Sequence, residues 1–432
     1  MADQLMQFDA RKPVTRAAMI LGLLLTVLGS WFVVRWYMGN TFAEFLNPEE
    51  NGLQMGRRAV SLAPNDPLAH WRLGDVIHKK LPPDQVAQVV DEYQKAASLS
   101  PNDYRFWMDL GPALEQLGES ERAEKALRRA VDLAPSYAYP HWYLGNFLLR
   151  AGNYEEAFNE LRRASDAAPE LRSQLFNVAW EVYKEDFASL TGAVGGSASA
   201  RAEFALYLLG RQRIEDGIRL WKTLSDAEKR ANVATGQSIV STLVGAKSYH
   251  QAADISNDLV PTPAHRAFVG QILNGGFEEN LASQPATVFG WQVKSVSQAQ
   301  IGIDPNRSHS GSKSLRIVFQ VRSRIDSLNL SQLVLVEPEK QYDVEFYVRT
   351  EKLQSGATPF VEIVDATDGS VVAASPPTPD GNSDWQLLAL NFKTGPKTEA
   401  VTIRVNRGSC QDPICPIFGT VWYDDFNIKR RS

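Results

Sequence analysis

Hydrophobic positions along the chain follow three different patterns, and these patterns divide it into three regions. Ala17 to Val34 is an uninterrupted run without charge, AAMILGLLLTVLGSWFVV. Beyond it, apolar residues recur every three to four positions as far as about residue 262, which is the spacing of amphipathic helices. From about Gln271 they alternate every second residue between turn residues, as in half-buried strands. The patterns predict a multidomain chain with a membrane-length helix, an all-α region and a C-terminal all-β sandwich or barrel.

The apolar run is long enough to cross a bilayer, and it continues to Tyr37 because the long stem of Arg35 can carry its charge to the interface. Basic residues precede the run and acidic residues follow it: Arg11, Lys12 and Arg16, then Glu44, Glu49 and Glu50. This bias predicts a cytoplasmic N-terminus at residues 1–16 and a single-pass transmembrane anchor at residues 17–37. A cleaved signal peptide is the alternative, with Thr41–Ala43 as a loose cleavage site. Both interpretations place the bulk of the chain in the periplasm or outside the cell.

The helical region contains an internal repeat. Pro101, Pro135 and Pro169 lie 34 positions apart. Between them, Leu-Gly pairs recur early in each unit and alanines recur late: Leu73-Gly74, Leu110-Gly111 and Leu144-Gly145, with Ala123, Ala130, Ala157 and Ala164. Small residues at these positions allow two helices to press together, and the proline begins the next unit.

This pattern closely resembles the tetratricopeptide repeat, or TPR. The resemblance implies an all-α TPR superhelix over residues 46–170, which opens with a half unit at Glu50–Pro64, and degenerate TPR-like repeats over residues 171–265. A loop insertion at Leu81–Asp84 lengthens the first full unit. The Gly/Ser-rich stretch Gly192–Ser199 interrupts the degenerate repeats, and its composition predicts a hinge or loop.

TPR superhelices are scaffolds that hold peptides or helices in a groove lined by the first helix of each unit. The resemblance implies that this groove is lined by residues two before each Leu and one after each Gly: Trp71, Asp75, Met108, Pro112, Trp142 and Asn146. The predicted partner is a protein or peptide. The alternative is that the two tryptophans pack between adjacent units and contact no partner.

The C-terminal strands carry the marks of a second family. NGGFEEN at Asn274, GW at Gly290, HSGSKSLRI at His309, DWQLLALNF at Asp384 and VWYDDFNI at Val421 occur in this order. Together they resemble the jelly-roll carbohydrate-binding modules of the galactose-binding-like group, of CBM4/9 type. The resemblance implies a jelly-roll sandwich over residues 271–432 that binds a polysaccharide.

Sugar binding requires an aromatic plate and planar hydrogen-bonding groups on an exposed surface. Candidate residues on the polar strand faces, together with the tryptophan of the GW motif, are Trp291, Arg316, Tyr347, Arg349 and Arg404. The arginines would suit an acidic polysaccharide. A solvated sheet face with cross-strand ion pairs has the same composition, and that interpretation stays open.

A carboxylate in the last strand points to a metal ion. Strict alternation would place Asp424 on one face with Trp422, Phe426 and Ile428, and a buried charge must be paired or coordinate a cation. The family resemblance implies a structural Ca²⁺ site where Glu278 joins Asp424 or Asp425, with backbone carbonyls completing the oxygen ligands. An arginine or backbone partner for Asp424 is the alternative.

The only two cysteines, Cys410 and Cys415, are separated by four residues. A metal site or a redox couple is conceivable, but zinc would need more ligands and no histidine lies nearby in sequence. In an oxidising compartment two cysteines this close favour a disulfide. A ring this small contributes roughly 2 kcal/mol by loop entropy, so the bond would fix a local loop shape.

Composition and motifs exclude other classes. The net charge is -5, and no Lys/Arg cluster alternates with aromatic residues, so nucleic acid is not a predicted partner. No catalytic motif stands in a useful context, so we expect no enzyme activity. The sequence favours a membrane-anchored extracytoplasmic scaffold in envelope or exopolysaccharide assembly or export. The alternatives are a protein-binding assembly factor without sugar recognition and, more remotely, a carbohydrate-active enzyme.

Overall fold

The computed structural model of the chain describes residues 11–46, 51–80, 85–281, 288–293, 299–319, 328, 330–408, 410 and 415–431. The start of the predicted cytoplasmic segment and the predicted loop insertion at Leu81–Asp84 lie outside these residues. Within them, the α-helices are α1 Pro13–Glu44, α2 Gly52–Leu62, α3 Pro67–Lys80, α4 Val86–Leu99, α5 Tyr104–Gln116, α6 Ser120–Leu133, α7 Ala138–Arg150, α8 Tyr154–Ala167, α9 Arg172–Tyr183, α10 Phe187–Val194, α11 Ala198–Gly210, α12 Ile214–Lys222, α13 Asp226–Ala231, α14 Val233–Gly245 and α15 Tyr249–Leu259.

The strands follow the helices along the chain. They are β1 Gln292–Val293, β2 Ala299–Asp304, β3 Ser314–Phe319, β4 Leu330–Leu335, β5 Gln341–Ser355, β6 Pro359–Asp365, β7 Val371–Ala374, β8 Gly381–Lys393, β9 Ala400–Arg407 and β10 Ile417–Arg430. The described chain divides into two compact units, one ending at Gly195 and one beginning at Gly196. This division falls in the Gly/Ser-rich stretch where a hinge or loop is predicted.

Helix α1 is a candidate membrane span that also belongs to the first repeat unit. By length and composition it can cross a bilayer, and none of its most apolar stretch is buried. Its last turns pack on α2, because a Cβ on Gly39 would lie only 2.6 Å from the Cβ of Ala63. The half unit predicted at Glu50–Pro64 is therefore completed by the C-terminal end of α1. The sequence prediction missed this partner, since it ended the anchor at Tyr37 and began the repeats at residue 46.

Each repeat unit is a pair of antiparallel helices in contact at the predicted small residues. At Gly111 in α5, a Cβ would lie 2.4 Å from the Cγ of Leu127 in α6. The corresponding glycines in α3 and α7 meet Tyr93 and Leu161 at similar distances. The glycines thus allow the closest approach of the paired helices, and the predicted TPR-like helix pairs are confirmed.

Three ring side chains make the same contact in successive repeat units. His70, Trp107 and His141 occupy equivalent positions, and each donates a ring N–H to the carbonyl of the proline six residues earlier, at 2.9 to 3.0 Å. The two histidines donate their other ring N–H to a glutamate, Glu92 or Glu160. In the charged imidazolium both ring nitrogens carry a proton, and each then has an acceptor here.

Charge pairing raises the pKa of both histidines. For His70, burial lowers the pKa, but the Glu92 hydrogen bond, the Pro64 carbonyl and the Glu92 charge outweigh it. For His141, the hydrogen bond to Glu160 is the largest contribution and burial opposes it. The pKa of each ring therefore lies above its ordinary value.

The helices that follow the repeats belong to both compact units. Helices α9 and α10 lie before Gly195, while α11 to α15 lie in the same unit as the strands. The Tyr249 hydroxyl of α15 donates to the carbonyl of Ala366 at 2.6 Å, and the ring of His250 bonds the carbonyl of Val336. The predicted degenerate-repeat region, residues 171–265, is thus divided between the units.

The strands form two antiparallel five-stranded sheets that enclose one core, as the alternating pattern predicts. The first sheet has the order β1-β4-β9-β6-β7 and the second β2-β3-β10-β5-β8. Their inner faces share one hydrophobic cluster, at whose centre Phe346 stacks on Phe426 at 4.8 Å. The predicted disulfide between Cys410 and Cys415 is present before the last strand.

A β-bulge in β10 corrects one prediction. The register slips by one residue between Asp424 and Asn427, and Asp425 has a φ of 51°. The bulge rotates the following residues, so Phe426 and Ile428 lie in the core with Tyr423, while Trp422 and Asp424 stay on the opposite face. The predicted common face for all four residues is wrong, because strict alternation does not allow for the extra residue.

Candidate binding surfaces

The predicted TPR groove stripe begins at Trp71 in α3. Its indole N–H donates to the Asp109 carboxylate of α5 at 2.7 Å, and its ring lies 5.8 Å from that of Phe106. Asp75, one turn further along α3, pairs with Lys79 at 2.9 Å. Trp71 therefore links two neighbouring units while it stays partly exposed. The packing role that the sequence left open is thus observed, and contact of Trp71 with a partner stays a prediction.

The stripe continues in α7 with a different arrangement. Trp142 packs on a small buried cluster around Ala164 and Leu171, and it is also partly exposed. Asn146 donates to the carbonyl of Trp142 at 2.8 Å, so its amide is held on the same helix face. Both side chains are therefore partly accessible on one face of α7.

Asp109 is a neighbour of the predicted groove stripe that the sequence prediction missed. Burial raises its pKa, the Trp71 hydrogen bond lowers it only in part, and the nearby charge of Asp75 raises it further. Tyr143 of α7 is close enough for the Asp109 charge to raise its own pKa, mainly with burial. Both residues stand one position before the Leu of a Leu-Gly pair, which is a signal that could have found them.

On the sandwich, the outer face of the first sheet carries one of the predicted sugar residues. Arg404 of β9 donates to the carboxylate of Glu362 in β6 at 2.5 Å, and Asn406 donates to the same oxygen at 2.6 Å. Glu362 is buried, whereas the Arg404 side chain remains 43% exposed. The guanidinium of Arg404 is therefore held by its hydrogen bond to Glu362 and remains partly exposed to solvent.

The outer face of the second sheet holds an aromatic group with polar neighbours. The ring of His309 stacks on Tyr347 of β5 with centroids 3.4 Å apart, and Trp385 of β8 meets it edge-on at 5.9 Å. Arg349, two residues after Tyr347, forms an ion pair with Asp384. His309 was not predicted here, because the loop that carries it is distant from β5 in sequence.

Arg316 lies beside a covered tryptophan on the same face. Trp422 of β10 donates its indole N–H to Asp304 at 2.8 Å, and the guanidinium of Arg307 lies 4.9 Å above its ring. Arg316 approaches the same Asp304 carboxylate at 3.6 Å. Trp422 is therefore a packing residue, and Arg316 stays exposed at its edge.

Trp291 is not part of either surface. It is 5% exposed, its ring packs against Phe277 and Phe426, and its indole N–H donates to the carbonyl of Asn274. Its prediction as an aromatic plate for sugar is corrected, since no ring face is open to solvent. The remaining four residues divide between two sheet faces, with Arg404 on the first and Arg316, Tyr347 and Arg349 on the second.

The three predicted calcium ligands all contact one loop. Asp424 is fully buried and accepts the backbone N–H groups of His309 at 2.7 Å and Ser310 at 3.3 Å. Asp425 accepts from the side chains of the same two residues. The bulge brings both carboxylates to this loop, although regular alternation would point them to opposite faces.

Glu278 meets the other end of the loop. Its carboxylate accepts the backbone N–H and the hydroxyl of Ser312 and the N–H of Lys313, and these bonds lower its pKa. Burial raises the pKa of Asp424 despite its backbone hydrogen bonds. Among the described residues, no group of three acidic, histidine or cysteine side chains is arranged to hold a metal ion. The backbone alternative for Asp424 is observed, and the calcium ion stays a prediction.

A cavity of about 700 Å³ opens at the loops that join β5 to β6 and β7 to β8. It is lined by Ser355–Thr358, Phe360, Ala374, Ser375, Pro377–Asp380 and Gly408. Beneath it, Arg407 donates to the carbonyls of Ala357 and Cys415, which connects the cavity wall to the disulfide loop. The disulfide thus helps to fix this wall.

Several solved structures resemble part of this chain at low sequence identity. A crystal structure of MamA is 17% identical, covering 35% of this chain and 86% of that chain with a TM-score of 0.28. A second MamA crystal structure is 15% identical over 51% of this chain and 96% of that chain, with a TM-score of 0.29. A CBM4 structure is 19% identical, covering 37% of this chain and all of that chain, with a TM-score of 0.28.

Comparisons of the sequence alone match a smaller part of the chain. No curated protein matches the chain. The family profile described as "Tetratricopeptide repeat" matches residues 85–138 and 108–171. These ranges coincide with the helix pairs α4 to α8, whose glycine contacts and proline-closed turns are described above. The chain therefore contains tetratricopeptide repeats.

Proposed function

We propose that the protein is a membrane-anchored extracytoplasmic scaffold that holds a protein or peptide partner in its TPR groove and a polysaccharide on its C-terminal domain. Helix α1 would anchor it as a single-pass span with the N-terminus in the cytoplasm. Such an architecture suits envelope or exopolysaccharide assembly or export. The proposal is of a binding protein without catalytic activity of its own.

The groove stripe carries the proposal for a protein partner. Trp71 and Trp142 stay partly exposed although each is fixed by contacts within the repeats, and Asp109 offers a carboxylate held by the Trp71 indole. Aromatic groups fixed before binding lose little conformational entropy on association, so they make efficient contact residues. TPR repeats in general bind protein partners through this face.

Cross-linking in cells provides the test of the groove. A photo-crosslinking amino acid at Asn146, whose side chain lies on the stripe, should trap a defined protein or peptide. The same amino acid at Lys125, on the second helix of the neighbouring unit, is the control and should not trap it. Identical products from both positions, or none from Asn146, would contradict groove binding.

Sugar recognition by the jelly-roll domain is proposed on the outer face of the second sheet. It offers the Tyr347, His309 and Trp385 rings beside the Arg349–Asp384 ion pair, which is the aromatic and planar polar chemistry that sugars require. We expect the full-length protein in detergent to bind an acidic polysaccharide on a glycan array. Arg349→Ala should weaken this binding, and Arg404→Ala, on the other sheet, is the matched control.

The array separates the alternatives. Absence of binding to any glycan by correctly folded protein would favour an assembly factor that recognises proteins alone. Release of reducing sugar from a candidate polysaccharide would instead support a carbohydrate-active enzyme. Binding that depends on Arg404 and not on Arg349 would keep the sugar function and move the site to the first sheet.

A structural calcium ion remains part of the proposal. Glu278, Asp424 and Asp425 supply the hard oxygen ligands that Ca²⁺ prefers, although their oxygens accept N–H and O–H groups in this structure. Calcium should raise the unfolding temperature of chelator-treated protein, and Asp425→Asn should remove the increase. An unfolding temperature that does not change with calcium would eliminate the ion.

A further inference from the structure

Helix α1 passes from its apolar stretch into the repeats without interruption. Ala17 to Met38 is solvent-exposed apart from half-buried Arg35, and at about 1.5 Å per residue this stretch measures roughly 33 Å, close to the thickness of a hydrocarbon core. Gly39 is the first buried residue of α1, and it packs against Ala63. Contact with protein therefore begins where contact with lipid would end.

The turns that join one repeat unit to the next lie along one edge of the repeats. Asn40 of α1 donates to Asp66, just before α3, at 2.8 Å. Trp71 near the start of α3 touches Phe106 near the start of α5. The rings of Tyr104 and Tyr137, just before α7, lie 5.3 Å apart.

These contacts connect three turns, 63–66, 100–103 and 134–137, which we call the between-unit edge. Its first turn is level with Gly39, so it adjoins the expected bilayer surface. The opposite, within-unit edge contains the turns 117–119 and 151–153. Because the helices alternate in direction and each has 13 or 14 residues, the two edges are roughly 20 Å apart.

Exposed aromatic residues mark the between-unit edge. Tyr137 is 58% exposed and Tyr139 is 53% exposed, and Leu99 is also exposed beside them. Tyrosine is favoured at membrane interfaces, where its ring meets acyl chains and its hydroxyl stays hydrated. The span itself carries the same kind of anchors at Trp36 and Tyr37.

We propose that the between-unit edge rests in the lipid headgroup region, with Tyr137 and Tyr139 as interfacial anchors. The proposal rests on membrane insertion of α1, which the proposed function includes. The surface that this edge contacts is the bilayer that α1 enters. Gly39 follows the exposed apolar stretch of α1 directly, and it packs against Ala63 in the first turn of the between-unit edge, so this edge lies where the stretch of bilayer length ends. The repeats then lie against the membrane with the within-unit edge turned away from it.

Fluorescence quenching in lipid vesicles tests this orientation. The native cysteines are joined in a disulfide, so a new cysteine is the only free thiol for a fluorophore. A label at Ser136→Cys, on the between-unit edge, should be strongly quenched by lipids that carry a spin label on the headgroup. A label at Asn153→Cys, on the opposite edge, should show only the background quenching seen without spin-labelled lipid.

A third label separates this inference from the proposed function. A label at Gly22→Cys, in the middle of the apolar stretch, should be quenched by lipids with a spin label deep in the acyl chain. If it is not, membrane insertion fails, and the inference fails with it. If Gly22→Cys is quenched while Ser136→Cys is no more quenched than Asn153→Cys, the inference alone is overturned.

Variants of the tyrosines test the anchors. The double variant Tyr137→Ser and Tyr139→Ser should lower quenching at Ser136→Cys severalfold. The free energy of unfolding should change only slightly, because both side chains are exposed and only the edge contact of Tyr137 with Tyr104 is lost. Tyr154→Ser on the within-unit edge is the matched control, since Tyr154 is 46% exposed. Full quenching in the double variant would show that the tyrosines do not anchor this edge.

Discussion

The repeats and the sandwich secure their polar groups in opposite ways. In the repeats, the same contact recurs in successive units: a ring N–H at His70, Trp107 or His141 meets the carbonyl six residues before it. In the sandwich, partners are far apart in sequence, as in the bond of Trp422 to Asp304 or of His309 to Asp424. A contact between residues close in sequence costs little loop-closure entropy, whereas a contact between distant residues forms only when the whole domain folds.

The difference implies different responses to damage. A repeat unit contacts mainly its neighbours, so a destabilising substitution in one unit should reduce stability mainly in that unit and the adjacent ones. The sandwich has one core shared by both sheets, so one large cavity there should destabilise all strands together. Each prediction below changes one of these two kinds of contact.

The largest effect is expected from Phe346→Ala in the sandwich core. Phe346 is fully buried and stacks on Phe426, and truncation of such a side chain costs about 3–5 kcal/mol. Hydrogen exchange should show loss of protection throughout both sheets and no loss in α5 to α8. Loss restricted to β5 and its neighbours would contradict a single cooperative core.

Gly111→Ala should have an intermediate and local effect. The added Cβ would collide with Leu127, and overpacking of this kind costs about 1–3 kcal/mol. Hydrogen exchange should increase in α5 and α6 and remain unchanged in the strands. The matched control is Gly192→Ala in α10, where a Cβ meets nothing within 4 Å, and which should be neutral or stabilising.

These differences also explain which parts of the structure the sequence could predict. The helix pairs and the strands follow from periodicity, because each period reflects one buried face. The shared position of His70, Trp107 and His141 in the repeat can also be read from the sequence, since the units are in register. The disulfide followed from the spacing of two cysteines and the expected compartment.

The features that the sequence did not predict depend on contacts that leave no trace in the local spacing of hydrophobic residues. The bulge at Asp425 shifts Phe426 into the core, and a single extra residue leaves no periodic signal. Trp291 was misplaced because its partners, Phe277 and Phe426, come from distant segments. The pairing of the end of α1 with α2 was missed because Gly39 lies between the predicted anchor, which ends at Tyr37, and the predicted repeats, which begin at residue 46.

Asp424→Ala tests a distant polar contact with a smaller expected effect. It leaves the N–H groups of His309 and Ser310 without their acceptor, and an unsatisfied buried donor costs about 1–3 kcal/mol. Asp424→Asn keeps an acceptor oxygen and removes the buried charge, so in chelator it should cost less. The free energies of unfolding by denaturant measure both, and equal losses would show that the charge itself is required.

The smallest effect is expected from pH, and it should distinguish the repeats from the sandwich. Because the folded pKa of His70 and His141 is raised, their stabilisation is fully present below the ordinary histidine pKa near 6.5. It is lost as the pH rises through the higher folded value, and each unit of elevation corresponds to about 1.4 kcal/mol. Hydrogen exchange at matched intrinsic rates should therefore show weaker protection of α7 and α8 at pH 8.5 than at pH 6.

Glu160→Gln keeps a hydrogen-bonding group for His141 and removes the charge, so it should abolish most of this dependence on pH. Trp107 makes the equivalent carbonyl contact without a titrating group, so α5 should show no such change from its own ring, and a pH response in α7 that survives Glu160→Gln would contradict the charged pair.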